Sequence, residues 1–341
     1  MRTVSALGAP LRRSVPIACQ SARRCFSSSH SLQATWGFIG LGRMGYPMAK
    51  NLRAKIPAED TLFVHDVNTA ATKQFLDEHP QGVRVAENVR QVAENAETIV
   101  TSLPEPKHVK AVFKEMLEPA TLLTDSAVNK ERFFIDCSTI DPMTSAEVAE
   151  AAHSTGQGKF IDAPMSGGVV GAQAGTLTFM IGAPPEAVEG ATKVLSKMGR
   201  RVVHLGGPGA GLKGKLANNY LLALNNIATA EAMSMGVKWG LDPKALAGMI
   251  NTATGKCWPS EVNNPVPGVI EGSPASRGYE GGFGIGLASK DLKLALKAAA
   301  DANVKLALGE PARALYDACE KAEDCKGKDF SVVYRYLGGK E

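Results

Sequence analysis

Along residues 206–240 (GGPGAGLKGKLANNYLLALNNIATAEAMSMGVKWG) the apolar positions Leu212, Leu216, Tyr220, Leu224 and Ile227 recur at three- and four-residue steps, and neither Gly nor Pro interrupts from Lys215 to Met235. The spacing predicts one helix. About 25 residues would extend roughly 37 Å, more than one small domain needs, so the helix is expected to run between two domains and belong to both. In the first half of the chain the pattern is different. Short strand-like runs at 35–39, 61–65, 98–103, 133–135, 160–161 and 176–183 are separated by stretches of helical composition. That alternation predicts a mostly parallel sheet with helices on both faces. After the long helix, Asp242-Pro243 opens a short helix ending near Asn251, Lys290-Asp291 opens another through Ala300, and segments 310–322 and 330–337 complete an all-helical second half. Residues 252–286 are rich in glycine and proline. With Cys257, Trp258 and Phe283 among them, they read as a packed loop that walls off water from a site.

The first strand breaks at once into Gly40-Leu41-Gly42-Arg43-Met44-Gly45, and a helical pattern follows. Strand, G-x-G-x-x-G and helix in that order mark a Rossmann-type dinucleotide site. There the first glycine makes the turn, the second admits a pyrophosphate and the third lets helix and strand pack closely. The second strand ends at Asp66, an acid placed to accept both ribose hydroxyls and to repel a 2′-phosphate. No arginine follows it in Val67-Asn68-Thr69, so NAD is expected rather than NADP. Later strands end in Leu103-Pro104, in Ser138-Thr139 and in Met165-Ser166-Gly167-Gly168. The first two are placed either to touch a cofactor or to serve as ordinary loops and caps. The third is either an anion cradle of one hydroxyl and two glycine amides, suited to a carboxylate, or a plain turn.

On the long helix Lys215 and Asn219 stand four apart on one face, with Asn218 beside them. An ammonium and a carboxamide on one rigid element can hold and protonate a substrate oxygen. The plainer alternative is a surface lysine with solvent-facing asparagines. Against it, lysine near a helix N-terminus opposes the macrodipole, and adjacent asparagines are poor helix formers.

Charge adds location rather than partners. Of the formal net charge of +4, Arg2, Arg12, Arg13, Arg23 and Arg24 all precede the first acid, Glu59. Without them the balance turns slightly negative, which leaves no basic field for nucleic acid. The segment 1–34 is arginine- and serine-rich, free of acids, and resembles a mitochondrial transit peptide, with a processing context at Arg24-Cys25-Phe26-Ser27 and a mature chain from near Ser27. The alternative is a non-targeting tail. No later apolar run reaches membrane-spanning length. Cys137, Cys257, Cys319 and Cys325 are scattered, with no C-x-x-C, so neither disulfides nor a metal are expected. The expected division is 1–34 as the targeting segment, 35–205 as a cofactor domain and 206–341 as an all-helical domain for substrate binding and homo-oligomer formation, dimer or tetramer.

These motifs resemble the 3-hydroxyisobutyrate dehydrogenases of the β-hydroxyacid dehydrogenase family. The likeness runs from Trp36 to Leu337 and rests on FIGLGRMG, IDCSTIDP, DAPMSGGVVGAQAGTLTFM, GAGLKGKLANN, GKCWPSEVNNPVPGV, GGFGIGLASKDL and KDFSVVYRYL. The resemblance implies NAD-dependent oxidation of (S)-3-hydroxyisobutyrate to methylmalonate semialdehyde, a step of valine breakdown in the mitochondrial matrix. It further implies Lys215 as the catalytic acid/base supported by Asn219, and Ser166, Gly167 and Gly168 as holders of the substrate carboxylate. Leu103, Pro104, His108, Thr139 and Lys290 become cofactor contacts beside residues 40–45 and Asp66. His108 stands where the family commonly has asparagine, and 117–132 is a few residues longer than usual. Sister activities on the same scaffold are a related 3-hydroxyacid dehydrogenase and a glyoxylate or succinic semialdehyde reductase. A dinucleotide-binding module without turnover is the non-enzymatic alternative.

Overall fold

A computed structural model describes residues 33–118 and 132–341. The arginine-rich leader and the core of the expected 117–132 insertion lie outside the described residues. The first half forms β1 (Thr35–Ile39), α1 (Gly45–Lys55), β2 (Thr61–His65), α2 (Thr69–Glu78), β3 (Val83–Val85), α3 (Val89–Asn95), β4 (Thr98–Thr101), α4 (Pro106–Leu117), β5 (Phe133–Asp136), α5 (Pro142–Ser154) and β6 (Lys159–Asp162). It continues with β7 (Met165–Ser166), α6 (Gly168–Ala174), β8 (Leu177–Gly182), α7 (Pro185–Leu195) and β9 (Gly199–Gly206).

Strands β3-β2-β1-β4-β5-β6 lie side by side and all parallel. Strands β8 and β7 extend the sheet in antiparallel pairing, and β9 runs parallel to β8 at the edge. A parallel strand buried on both faces must be apolar on both. Accordingly Met48, Leu52, Phe75 and Ala191 from α1, α2 and α7 form one core with Phe38, Val64 and Ile161. Val92, Phe113 and Val148 from α3, α4 and α5 form the other with Ile39, Ile99 and Phe160. Strand order reverses between β1 and β4, which opens a crevice at their carboxyl ends, where such sheets bind ligands.

The second half is helical: α8 (Ala210–Lys238), α9 (Pro243–Thr252), α10 (Trp258–Glu261), α11 (Ile285–Asp301), α12 (Gly309–Lys321) and α13 (Val333–Tyr336). With 29 residues, α8 is about 43 Å long. Its first turns lie against the sheet, with Leu212 in the second core. Further along, Ala223, Ala230 and Met233 join Tyr279, Tyr316 and Phe330 in a third core. Four asparagines disfavour this helix locally. Tertiary contacts hold it instead: buried Asn226 donates to the Tyr316 hydroxyl and the Phe330 carbonyl, both at 3.0 Å.

Strands β3, β7 and β9 were not legible in the hydrophobic pattern. The first two are very short, and β9 is an exposed edge with almost no buried residue. Helix α11 begins at Ile285 rather than at Lys290-Asp291, because Ile285 and Ala288 are buried in the third core and the Ile285 amide donates to the Lys328 carbonyl. The glycine- and proline-rich segment is packed, with α10 and a 3-10 turn at Ala275–Arg277 inside it. Buried Asp329 pins it from the C-terminal side. Its carboxylate accepts from Asn263 Nδ2 at 3.0 Å, the Phe283 amide at 2.7 Å and the Ser331 amide at 2.9 Å.

Candidate active site

Two glycines of the β1–α1 turn are required by geometry. Gly40 has φ +97°, and a Cβ on Gly45 would run into the Gly40 carbonyl. Gly42, by contrast, faces open space, and Arg43 beside it is exposed. The turn therefore leaves its backbone and the start of α1 open to an approaching anion such as a pyrophosphate. Asp66, at the end of β2, accepts the Leu41 amide at 2.5 Å through Oδ2 and the Asn68 amide at 2.7 Å through Oδ1. The carboxylate thus stands against the glycine turn, where the edge of a ribose would reach it. These residues fit a dinucleotide.

The next two loops are tied together from below. Buried Asp136 accepts the Thr101 hydroxyl at 2.7 Å and the Ser138 hydroxyl at 2.6 Å, and Ser138 Oγ in turn accepts the Leu103 amide at 2.9 Å. Lys290 reaches both loops from α11. Its Nζ donates to the Thr139 carbonyl at 2.9 Å and the Pro104 carbonyl at 3.5 Å, and it lies 3.3 Å from Asp291 Oδ1. Leu103, Pro104, Thr139 and Lys290 are thereby brought together. His108 lies half-buried in the first turn of α4, and its Nδ1 is buried without a hydrogen-bond partner among the described residues.

Lys215 and Asn219 are both buried on one face of α8, while Asn218 is exposed and donates to Asn219 Oδ1 at 3.2 Å. Asn219 Nδ2 donates to Asp291 Oδ2 at 2.6 Å. The Lys215 ammonium has no hydrogen-bond partner among the described residues. Burial pulls its pKa below the ordinary lysine value; the Asp291 carboxylate opposes that shift, and the Lys290 charge adds to it. Lysine so placed can exchange a proton nearer neutrality than a free one. A recess beside Asn219 and Asp291 is walled by Phe283 and Phe330, which pack edge to face at 5.7 Å.

Ser166 ends β7, paired with Thr178 of β8. It is half-buried, and Gly167 and Gly168 follow with φ +132° and +62°, exposed at the start of α6. Among the described residues no hydrogen bond joins this turn to Lys215 or Asn219.

In the sequence Asp291 reads only as part of a helix start, not as a site residue. Its signal is an acid on an alanine- and leucine-rich helix directly after a lysine, and its partner lies 72 positions earlier. No group of three or more His, Cys, Asp or Glu side chains among the described residues is arranged to hold a metal ion, and no described helix is long and apolar enough to cross a membrane.

Residues 35–206 match a family described as the NAD binding domain of 6-phosphogluconate dehydrogenase. Residues 209–337 match one described as NAD-binding of NADP-dependent 3-hydroxyisobutyrate dehydrogenase. A Dictyostelium discoideum protein named probable mitochondrial 3-hydroxyisobutyrate dehydrogenase is 44% identical over 91% of this chain and 92% of its own. The Homo sapiens mitochondrial 3-hydroxyisobutyrate dehydrogenase is 41% identical over 97% of this chain and 94% of its own. Among solved structures, Mycobacterium tuberculosis 3-hydroxyisobutyrate dehydrogenase with L-serine superposes with a TM-score of 0.79 at 35% identity, covering 90% of this chain and 99% of that one.

Proposed function

The chain belongs to the 3-hydroxyisobutyrate dehydrogenase family, and from that premise we propose that Lys215 is the acid/base of its reaction, supported by Asn219. The protein is an NAD-dependent oxidoreductase that oxidises 3-hydroxyisobutyrate, and it is mitochondrial. The substrate is the (S) enantiomer, the product methylmalonate semialdehyde, and the compartment the matrix. The cofactor domain spans 35–205 and the helical domain 206–341. Leu221, Met235, Trp239, Leu241 and Met249 are exposed apolar residues on or near α8 and α9, and they support a homo-oligomer, dimer or tetramer.

Bound NAD supplies a hydride acceptor at the carboxyl ends of the strands. Residues 40–45 and Asp66 would hold its pyrophosphate and ribose, and Leu103, Pro104, His108, Thr139 and Lys290 would add further contacts to it. Ser166, Gly167 and Gly168 take the substrate carboxylate, which leaves the hydroxyl for Lys215. In oxidation the neutral Lys215 amine takes the hydroxyl proton; in reduction the ammonium returns a proton to the aldehyde oxygen. Asn219, steadied by Asp291, adds a donor for the developing alkoxide.

The observation that carries this reading is the burial of Lys215 beside one carboxylate and one cation, with that cation, Lys290, also bonded to two expected cofactor loops. The test compares (S)-3-hydroxyisobutyrate, 3-hydroxypropionate, L-serine and 4-hydroxybutyrate, each with NAD or NADP, by following reduced cofactor. Preference for 3-hydroxyisobutyrate with NAD is expected. Preference for another acid moves the substrate assignment, and silence on all four leaves only dinucleotide binding.

A further inference from the structure

Asp162 ends β6, four residues before Ser166, and is fully buried. Its carboxylate accepts the Gly209 amide at 2.6 Å through Oδ1 and the Leu212 amide at 2.9 Å through Oδ2. Those amides open α8. The helix has no capping side chain of its own, since its N-cap is Gly209 at φ 83°. The cap comes instead from a strand 47 and 50 positions earlier, and its negative charge sits at the positive end of the helix dipole. Glycines make room for it. A Cβ on Gly211 would stand 2.8 Å from Asp162 Oδ2, and one on Gly182 would run into Oδ1. Lys215 follows Leu212 by three residues, less than one turn.

We propose that Asp162 is a positioning residue for Lys215: its buried carboxylate, clamped on the first turn of α8, fixes where that helix stands against the turn carrying Ser166. The proposal rests on the functional reading above. One strand end then sets both sides of the site. It holds the helix of the proton-transferring amine through the Asp162 side chain, and it leads directly into the substrate turn through the backbone.

The clamp works while the carboxylate is charged, because a protonated carboxyl accepts through one oxygen and leaves an amide without a partner. Burial pushes the Asp162 carboxyl up to about 6, against the two amides that favour its charge, and nearby Asp136 on β5 raises it further. On β9, His204 is bonded through its ring to the Ala183 carbonyl at 3.0 Å. Helices α5 and α7 pack on β6 through apolar residues. From α8 the nearest charge along the chain on the buried face is Lys215. Its titration is separable from that of Asp162, because acid favours the ammonium that aldehyde reduction needs.

The experiment is the pH profile of kcat for aldehyde reduction by the wild type and by Asp162→Asn, with NAD affinity and circular dichroism followed alongside. The wild-type kcat is expected to fall as pH drops through about 6 with the spectrum unchanged. Asp162→Asn is expected to lose about tenfold to a hundredfold in kcat, to lack that limb, and to bind NAD within about twofold of the wild type. If Asp162→Asn does not fold, the wild-type profile decides alone. A flat wild-type profile, or a folded Asp162→Asn with nearly unchanged kcat, overturns the proposal. A wild type that turns over no small 3-hydroxyacid overturns the functional reading and this inference with it.

Discussion

The cofactor crevice and the Lys215 site are built on opposite plans. The crevice is made of short contiguous segments: the glycine turn, the acid at the end of β2 and two strand-end loops, each complete within a few residues. The Lys215 site is made of side chains from α8 and α11 that meet only after the chain has folded, with Asn219 bonded to Asp291 across 72 positions. The first offers backbone and one carboxylate to the large anion proposed for it. The second tunes one amine by burial and by two opposing charges. Apart from Lys290, which touches both, binding and proton transfer should therefore fail separately.

The sharpest break comes at Lys215. Lys215→Ala should lower kcat by about a thousandfold, within the usual contribution of a positioned acid/base, while the dissociation constant for NAD, measured by fluorescence titration, stays within about twofold. The converse is Asp66→Ala. Losing a charged acceptor for the ribose hydroxyls should raise KM for NAD about tenfold to a hundredfold, relax the bias against NADP, and leave kcat near that of the wild type at saturating cofactor.

A smaller effect has a sign that tests the electrostatics. With Lys215 as the proposed base, oxidation needs the neutral amine, and its rate should rise with pH through the Lys215 pKa. The Asp291 carboxylate raises that pKa and Lys290 lowers it. Asp291→Asn should therefore move the rising limb of the pH–kcat/KM profile to lower pH, and Lys290→Met should move it to higher pH. Lys290→Met should also raise KM for NAD, since Nζ holds the Thr139 and Pro104 carbonyls. The smallest expected effect is at Lys193, whose exposed pair with Glu189 lies far out on α7. Lys193→Ala should change neither kcat, KM nor Tm measurably.

The two plans also differ in how far the sequence discloses them. The strands Thr35–Ile39 and Thr61–His65 are bounded in the pattern as they are in the fold, because each is a short, mostly apolar run that stops at a glycine or an acid. Strand β9 escapes notice because an exposed edge needs no such run. The start of α11 is hidden by Gly284 and Gly286, whose helical neighbours are fixed by burial in the third core. Lys215 and Asn219 stand out because their types are wrong for an apolar helix. Asp291 and Asp162 do not, since each is an ordinary acid until its partner on a distant element is known.

The central claim is that Lys215 moves the substrate proton, and amine rescue of Lys215→Ala tests it most directly. Small alkylamines added to the variant should restore part of the lost kcat, more so for the more basic amines at equal free-base concentration, while NAD binding remains unchanged throughout. A variant whose kcat stays within tenfold of the wild type, or one that loses NAD binding together with turnover and gains nothing from added amine, would contradict it.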